Sequence, residues 1–334
     1  MITPPSALPE PMVADFLRQV GVGNLVAVDA LLTETPALID AVGPHPFWGG
    51  RPQALHVAIE TTRRPMFDRL LEAGADVNGR NDEYLHWSPL LLALNRRQQD
   101  LARTLIRRGA GVGVPEALAL GDDPALARLL AKGRESLPAK VPSNGSLLML
   151  ARTPAAIDLL LELGVPTDEP DQWGATPMEA LSRLGPAGAH LVRHLERRGV
   201  PAAPEVFARL DDRRTLQQLI ADDPTTLASP KLLKAAVDFG HLALTEWLLD
   251  QGVDPNARSG TGAEETALHA AAWNGHEQLV ELLLSRGADP TIRDRQYDAT
   301  PSGWAATAVE VTDNARCAGV ADRLGRAERA ARDG

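Results

Sequence analysis

The sequence predicts an all-α protein, a solenoid of about ten stacked helix hairpins. Three observations predict this fold class: glycines recur at regular spacing, capping residues recur before prolines, and apolar residues recur at three- and four-residue intervals. The glycines mark helix ends, the proline pairs mark helix starts, and the apolar intervals give each helix one apolar face. Such a hairpin exposes apolar surface unless a neighbour covers it, so the repetition predicts an open stack of hairpins.

The glycines set the period of the predicted stack. Those expected to end a helix in the left-handed conformation are Gly74, Gly109, Gly164, Gly199, Gly252 and Gly287. Within each successive pair the spacing is 35 residues, and corresponding glycines of successive pairs are 90 or 88 residues apart. The chain therefore repeats in blocks of two long hairpins and one short hairpin. Short hairpins are predicted at 115–133 and 204–223.

Helix starts carry a second signal, in which a residue able to cap a helix stands before a proline. The pairs are Ser88-Pro89, Asp123-Pro124, Thr176-Pro177, Ser229-Pro230 and Thr300-Pro301. The side-chain oxygen accepts a hydrogen bond from a free helix N–H, and proline lacks only a donor that has no helical partner there. Each pair therefore predicts the first residues of a helix.

Apolar residues complete the hairpin pattern. In the second helices they recur three and four residues apart, as in Phe67, Leu70 and Leu71, and in Leu244, Trp247, Leu248 and Leu249. This spacing places them on one face of a helix, where the neighbouring hairpin can bury them.

One segment carries a family resemblance. Residues 266–276 read Thr-Ala-Leu-His-Ala-Ala-Ala-Trp-Asn-Gly-His, and residues 282–289 read Leu-Leu-Leu-Ser-Arg-Gly-Ala-Asp. This pattern resembles the ankyrin repeat. The resemblance is strong at 50–112 and 229–306 and weak at 113–228. It implies an ankyrin-type solenoid with projecting finger loops, whose work is non-covalent binding of a protein.

The expected organisation is a single ankyrin-repeat solenoid over 1–334. Residues 12–45 are predicted to form an N-terminal capping hairpin, since Leu31 to Pro36 resembles Leu219 to Pro224 of a short hairpin. Repeats in blocks of two long and one short are expected over 46–292, and a C-terminal capping repeat and tail over 293–334. A terminal repeat needs a polar outer face to stay soluble.

Composition and charge narrow the expected partners. The formal net charge is −10, with 44 acidic and 34 basic residues, which disfavours nucleic acid and favours a basic protein partner. A single cysteine, Cys317, excludes an internal disulfide framework. The start of the chain lacks the pattern of a secretion signal, and no run is long enough to span a membrane. We therefore expect a cytoplasmic monomer, and the scarcity of lysine indicates a bacterial source.

Partner-binding residues are predicted on the fingers and on the concave side of the first helices, which the ankyrin resemblance implies as the recognition surface. The finger aromatics are Phe47, Trp48, Tyr84, Trp87, Trp173 and Tyr297. Trp273, Glu60 and Asp238 occupy the position near the end of a first helix that the ankyrin pattern leaves open. Exposed Trp and Tyr bury large areas at little entropic cost, although a finger aromatic can also pack on the adjacent finger.

No catalytic residue, cofactor or metal is predicted. His56 and His269 occupy the ankyrin Leu-His position, where the imidazole is expected to hydrogen-bond the repeat's own loop. His190 and His194 lie four residues apart on one predicted helix, and they are the basis of an alternative, a metal-dependent hydrolase on the concave surface. The predicted function is a non-enzymatic adaptor, scaffold or inhibitor, with an immunity or antitoxin-type inhibitor of an enzyme as a further alternative.

Overall fold

The computed structural model describes residues 8–79, 84, 86–139, 141–260, 263–312 and 314–333. Within these residues every regular element is helical, which confirms the predicted all-α class. Contacts between residues divide the chain into two compact units, Met1–Ala156 and Ile157–Gly334. Helix α9, Pro154–Glu162, contains the division.

The first unit consists of helix pairs joined by short turns. Its α-helices are α1 (Glu10–Val22), α2 (Leu25–Glu34), α3 (Ala54–Glu60), α4 (Arg64–Glu72), α5 (Pro89–Asn95), α6 (Gln99–Arg107), α7 (Val114–Leu120) and α8 (Asp123–Leu129). Its 3-10 helices are Pro36–Asp40, Gly133–Ser136, Pro142–Asn144 and Leu147–Leu150. Each odd-numbered helix packs against the following even-numbered helix, and α1, α3, α5 and α7 pack on one another in chain order.

The second unit repeats this arrangement. Its helices are α10 (Pro177–Ser182), α11 (Pro186–Arg197), α12 (Pro204–Arg209), α13 (Arg213–Asp222), α14 (Leu232–Asp238), α15 (Leu242–Asp250), α16 (Ala267–Asn274), α17 (Glu277–Ser285), α18 (Pro301–Thr312) and α19 (Arg316–Asp333), with a 3-10 helix at Pro224–Ala228. The first helices of the hairpins, α10 to α18 by even numbers, form one continuous layer. Helices α15, α17 and α19 pack in a second layer.

The cores are built from the apolar faces that the spacing predicts. Phe67 and Leu70 of α4 are fully buried in the first unit, and Leu248 of α15 is fully buried in the second. Of the helices described, none combines the length and apolar character that crossing a bilayer requires.

The predicted helix-ending glycines all adopt the left-handed conformation. Their φ angles lie between 72° and 92° at Gly74, Gly109, Gly164, Gly199, Gly252 and Gly287. At Gly287, as an example, the N–H of the next residue, Ala288, donates to the carbonyl of Leu283 at 2.9 Å, which closes the helix end. An L side chain at φ near 87° is strained whatever the space around it, so glycine suits these ends.

Three predicted helix starts are confirmed and two are corrected. Ser88 Oγ accepts from the N–H of Leu91 at 3.1 Å, and Thr176 forms a capping box with Glu179. At the third, α18 begins at Pro301, directly after Thr300. At α8 the cap is Asp122, one residue before the predicted Asp123, because Asp123 is already helical. Ser229 does not cap α14, since that helix begins at Leu232 and the Ser229 hydroxyl donates to Glu205 instead.

The similarity between the two segments that contain Pro36 and Pro224 extends to their conformation. Helix α2 ends at Glu34 and a 3-10 helix begins at Pro36, while α13 ends at Asp222 and a 3-10 helix begins at Pro224. The residue before each proline is extended away from helical geometry, as proline requires. The short-hairpin ending predicted from sequence is therefore present in both units, whereas the capping role of 12–45 stays a prediction.

Side chains at the finger bases tie one repeat to the next within each unit. In the first unit Asp40 Oδ1 accepts from the Asp76 N–H at 2.9 Å, and Asn78 Oδ1 accepts from the Gly111 N–H at 2.7 Å. In the second unit Asn256 Oδ1 accepts from the Asp289 N–H at 2.8 Å. We call these three contacts the finger bonds. They fix the spacing of successive fingers within each unit.

Candidate binding site

A cavity of about 230 Å³ opens in the second unit, beside the first helices α10, α12 and α14 and the loops that precede α10 and α16. Its lining residues are Trp173, Ala175, Glu179, Arg183, Arg209, Lys231, Lys234, Ala235, Asp238, Ser259 and Glu265. It therefore draws on four successive hairpins, and the stacking of first helices described above is what assembles it.

Helix α14 supplies one wall because its two faces differ. Leu233 and Val237 are buried in the core of the unit, whereas Lys234 and Asp238 are partly exposed and lie one turn apart. Lys234 Nζ lies 2.8 Å from Asp238 Oδ2 and 3.2 Å from Glu265 Oε1. An i,i+4 pair meets on one side of a helix, so the sequence directs both charges into the cavity.

Glu179 is the buried carboxylate of the cavity, with 6% of its surface exposed. Its Oε2 accepts the backbone N–H of Thr176 at 2.9 Å, which completes the capping box at the start of α10. Its Oε1 lies 3.9 Å from Arg209 Nη1 and 3.8 Å from Lys231 Nζ. Both separations exceed hydrogen-bond distance, so Glu179 attracts the two cations without satisfying their donors.

Arg209 is the buried cation of the cavity. It ends α12 with 6% of its surface exposed, and its Nη1 makes no hydrogen bond with any described residue. Burial, and then the charge of Arg183, lower the pKa of Arg209. The backbone of Arg209 is fixed, because His241 Nε2 donates to its carbonyl at 2.9 Å.

Two residues predicted from sequence, Trp173 and Asp238, line this cavity. Trp173 stands on a tight finger turn in which Asp171 Oδ1 accepts the N–H groups of Trp173 and Ala175, both at 2.9 Å. The side chain remains 49% exposed. The turn therefore presents the indole at the cavity edge instead of burying it.

Two other predicted residues, Trp273 and Tyr297, lie in the hairpins formed by α16 to α19. The ring of Trp273 meets that of Trp304 edge to face, with centroids 6.0 Å apart. Trp304 Nε1 donates to Asp294 Oδ2 at 2.9 Å, and the Tyr297 N–H donates to Asp294 Oδ1 at 2.6 Å. The Tyr297 side chain is 49% exposed, so it is a second aromatic available on a finger.

Asp294 organises that finger, although it is only 2% exposed. Burial by itself favours the neutral acid, yet N–H donors, with those of Tyr297 and Trp304 foremost, lower the pKa of Asp294 below its ordinary value. The carboxylate therefore stays charged and holds the turn. Sequence reasoning did not single out Asp294 or Trp304.

In the first unit, Phe47 and Trp48 are half-buried. A Cβ built on Gly21 would lie 2.7 Å from Phe47 Cε2, so the Phe47 ring packs against the Gly21 backbone. Trp48 stacks on the His45 ring with centroids 4.2 Å apart and 17° between the planes. Both rings thus combine intramolecular packing with some exposed surface.

Tyr84 and Trp87, also in the first unit, form hydrogen bonds with residues far away in the chain. Tyr84 is 6% exposed, and its hydroxyl donates to Glu60. Trp87 is half-buried and its Nε1 donates to Ser143 Oγ at 3.2 Å. Burial leaves Tyr84 little surface for a partner. Its hydroxyl contact with Glu60 is intramolecular.

The histidines fall into two groups. His56 and His269 were predicted to have structural roles, and His190 and His194 are the candidate metal ligands. His56 Nε2 lies 2.9 Å from the carbonyl oxygen of Trp87, and His269 Nε2 lies 3.1 Å from that of Ala299. Each imidazole therefore bonds the end of the finger that leads into the next hairpin. His194 Nε2 lies 2.7 Å from Asp158 Oδ1, while His190 is exposed. In the part of the chain that the structure describes, no group of three or more His, Cys, Asp or Glu residues is arranged to hold a metal ion.

The cavity cations Arg209, Lys231 and Lys234 were not predicted as site residues. The sequence offered one signal, because the chain has only four lysines and two of them lie three residues apart at the start of α14. Arg209 carried no comparable signal, since an arginine at the end of a helix is ordinarily explained by the helix dipole.

A comparison with protein families finds a match over residues 232–284, to the family described as Ankyrin repeats (many copies). A comparison with curated proteins finds no match. The matched segment contains α14, α15 and α16 and most of α17, and so includes one wall of the cavity. Ankyrin repeats indicate a protein–protein interaction module. The match supports the ankyrin repeat family for residues 232–284.

Proposed function

We propose that the chain binds a protein partner non-covalently through the side of the second unit that carries the cavity, with no reaction of its own. The observation that carries this proposal is that Trp173 and Asp238, from different hairpins, line one cavity. An indole that is 49% exposed can bury a large area against a partner at little cost in side-chain entropy.

The other predicted residues are expected to contribute to partner binding to different degrees. Tyr297 would act as a second exposed anchor, and Trp273 would extend the surface along the first-helix layer. In the first unit the half-buried Phe47, Trp48 and Trp87 would form a separate candidate contact surface. Tyr84 is assigned a supporting part only, because it is buried.

The mode of action follows from binding alone, because a protein that grips its partner can sequester, scaffold or inhibit it by mass action. Inhibition of an enzyme, as by an immunity protein or antitoxin, belongs to this class. The net charge of −10 supports a basic partner, whose approach an acidic surface accelerates at low salt. We propose a monomer in the cytoplasm, and four lysines among 34 basic residues support a bacterial source.

A native pull-down at low salt tests the proposal. The tagged wild type is compared with a Trp173→Ala and Tyr297→Ala double variant and with a Leu242→Ala control, which removes an exposed apolar side chain from the second-helix layer. We expect one protein to be retained by the wild type and the control and lost by the double variant.

The substituted side chains are exposed enough that far-UV circular dichroism should be unchanged. The captured protein is then purified, and its Kd for the double variant should be at least tenfold weaker than for the wild type. Equal retention by the wild type and the double variant, or no protein retained specifically, would contradict the proposal.

A further inference from the structure

Three aromatic residues of the second unit, Tyr297, Trp304 and Trp273, are linked beside a buried carboxylate. We call them the aromatic strip. We propose that the aromatic strip binds an arginine side chain of a basic protein partner. This inference rests on the proposed function for the existence of the partner, and it deepens that function by naming the side chain that the partner supplies.

Two contacts hold the aromatic strip together. Asp294 Oδ1 accepts from the Tyr297 N–H at 2.6 Å and Oδ2 accepts from Trp304 Nε1 at 2.9 Å, so one carboxylate links Tyr297 to Trp304. The Trp304 ring meets the Trp273 ring with centroids 6.0 Å apart and 77° between the planes. The strip therefore extends from the finger before α18 to the end of α16.

Each ring of the strip keeps surface that a partner can reach. Tyr297 is 49% exposed, and Trp273 and Trp304 are half-buried. Among the described residues, no other aromatic ring contacts that of Tyr297, and Trp273 contacts the ring of Trp304 alone. Aromatic area therefore remains on which a cation can stack.

Asp294 places a negative charge beside these rings. Its carboxylate accepts hydrogen bonds from four N–H groups, those of Gln296, Tyr297, Ala299 and the Trp304 indole. Within the part of the chain that the structure describes, it forms no ion pair. The Trp304 indole, polarised by its bond to a carboxylate, becomes a stronger acceptor for a cation over its ring.

Tyr297 reports the sign of the field at one end of the strip. Burial, and then the charge of Asp294, raise the pKa of Tyr297, and the charge of Glu265 raises it as well. Glu265 has this effect although its Oε1 lies 3.2 Å from Lys234 Nζ. The described charges that act on Tyr297 are thus both carboxylates, which attract a cation.

His269 reports the same sign beside Trp304, because the two rings meet edge to face with centroids 5.4 Å apart. Burial lowers the pKa of His269, and the charges nearby act in both directions. Asp294 and Glu265 each raise this pKa by more than Arg258 lowers it. The field at this ring is therefore also negative.

The arginines of the neighbouring fingers already have partners. Arg293 Nη1 lies 3.2 Å from Asp298 Oδ2, and Arg295 Nε lies 3.0 Å from Glu264 Oε2. Arg258 donates to the carbonyls of Glu264 and Arg293 at 3.1 and 2.9 Å. No cation of the described residues lies over a ring of the strip. The cation that fits there must come from another molecule.

Arginine matches this surface better than lysine does. Its planar guanidinium stacks on aromatic rings while the N–H donors at its edge remain free for hydrogen bonds. It is also more weakly hydrated than an ammonium group, so less hydration is lost on contact. The net charge of −10 favours a basic partner in the same way.

Titration with three capped tripeptides tests the proposal. The probes are acetylated and amidated Gly-Arg-Gly, Gly-citrulline-Gly and Gly-Lys-Gly, because citrulline keeps the shape of arginine without its charge. Binding to the full chain is followed by NMR through the indole N–H resonance of Trp304. We expect a Kd for the arginine peptide that is lower than for the lysine peptide and about fivefold lower than for the citrulline peptide.

Variants locate the binding on the strip. Tyr297→Ala and Trp273→Leu should each raise the Kd for the arginine peptide about fivefold. Tyr297→Phe keeps the ring and should leave the Kd unchanged. Trp247→Leu is the matched control, since Trp247 is a half-buried tryptophan of α15 in the second-helix layer. If Trp273→Leu is misfolded by circular dichroism, Tyr297→Ala alone decides, because Tyr297 is exposed.

Three results would overturn the proposal. They are no shift of the resonance at about 10 mM arginine peptide, roughly the limit of useful affinity, an equal Kd for the arginine peptide and either other peptide, and an equal Kd for the wild type and Tyr297→Ala. The pull-down is read separately. Arginine binding without capture of a protein contradicts the proposed function alone, whereas capture without arginine preference contradicts this inference alone.

Discussion

Glu60 Oε1 accepts a hydrogen bond from Arg96 Nη2 at 2.7 Å, which joins the end of α3 to the residue after α5. The other carboxylate oxygen lies 3.1 Å from His45 Nε2 and accepts the Tyr84 hydroxyl. The Glu60 side chain is only 4% exposed. Burial alone would disfavour its charge, and these partners keep the carboxylate ionised. One carboxylate thus connects two neighbouring hairpins and the loop that carries Trp48.

Replacing Glu60 with Gln should destabilise the first unit by about 3 kcal/mol, because it removes the charge that Arg96 and His45 face and leaves them without a carboxylate. Urea unfolding followed by circular dichroism measures the change. The matched control is Glu246→Gln, whose ion pair with Arg286 is exposed and should be worth less than about 0.5 kcal/mol. Equal effects of the two substitutions would show that burial of Glu60 has no energetic weight.

The same carboxylate predicts a pH dependence. Burial opposes ionisation, but the hydrogen bond with His45 and the charge of Arg96 bring the pKa of Glu60 from 4.5 to about 2. A lowered folded-state pKa gives stability that is complete above the unfolded-state pKa and is lost as the pH falls. The stability gap between the wild type and Glu60→Gln should therefore narrow from pH 4.5 toward pH 2. A gap that stays constant over this range would contradict the assignment.

Two glycines of different conformation should respond oppositely to alanine. Gly109 has φ near 90° and Gly319 lies inside α19, and a Cβ on either meets nothing within 4 Å. Gly109→Ala should cost about 1 kcal/mol through backbone strain, while Gly319→Ala should stabilise by about 0.5 to 1 kcal/mol through helix propensity. Thermal melting of both variants checks the signs. Stabilisation by Gly109→Ala would mean that this helix end is not left-handed.

Asp294→Asn should loosen the finger that carries Tyr297. Asp294 Oδ2 accepts from the Ala299 N–H and from Trp304 Nε1, and an amide nitrogen at that position would oppose two donors. We expect a loss of about 2 kcal/mol. Asp298→Asn is the control, because the Asp298 side chain is 83% exposed. Melting curves followed by circular dichroism distinguish the two, and similar losses for both would contradict this role of Asp294.

Much of the fold could be predicted because its signals are local. A glycine at φ near 90°, or a serine before proline, acts through the backbone of its own helix, so Gly109 and Ser88 were placed correctly. Ser229 was placed wrongly for the opposite reason. Its hydroxyl donates to Glu205, 24 residues away, and no local rule weighs such a partner against a capping role.

The candidate site could be predicted only in part. Trp173 and Asp238 were identified by residue type and repeat position, and both line the cavity. Arg209 was missed because its importance comes from being buried beside Arg183 without an acceptor for Nη1. Three stacked hairpins create that environment. The sequence of any single helix does not predict it.

The finger bonds have a mechanical consequence. Each finger bond links residues 33 to 36 positions apart in the chain, about one repeat. The bonded atoms themselves are only 2.7 to 2.9 Å apart. Tension applied to the ends of either unit would pass from finger to finger through these bonds as well as through the packed helices. A repeat whose finger bond is removed, as in Asn78→Ala, would be the first to extend.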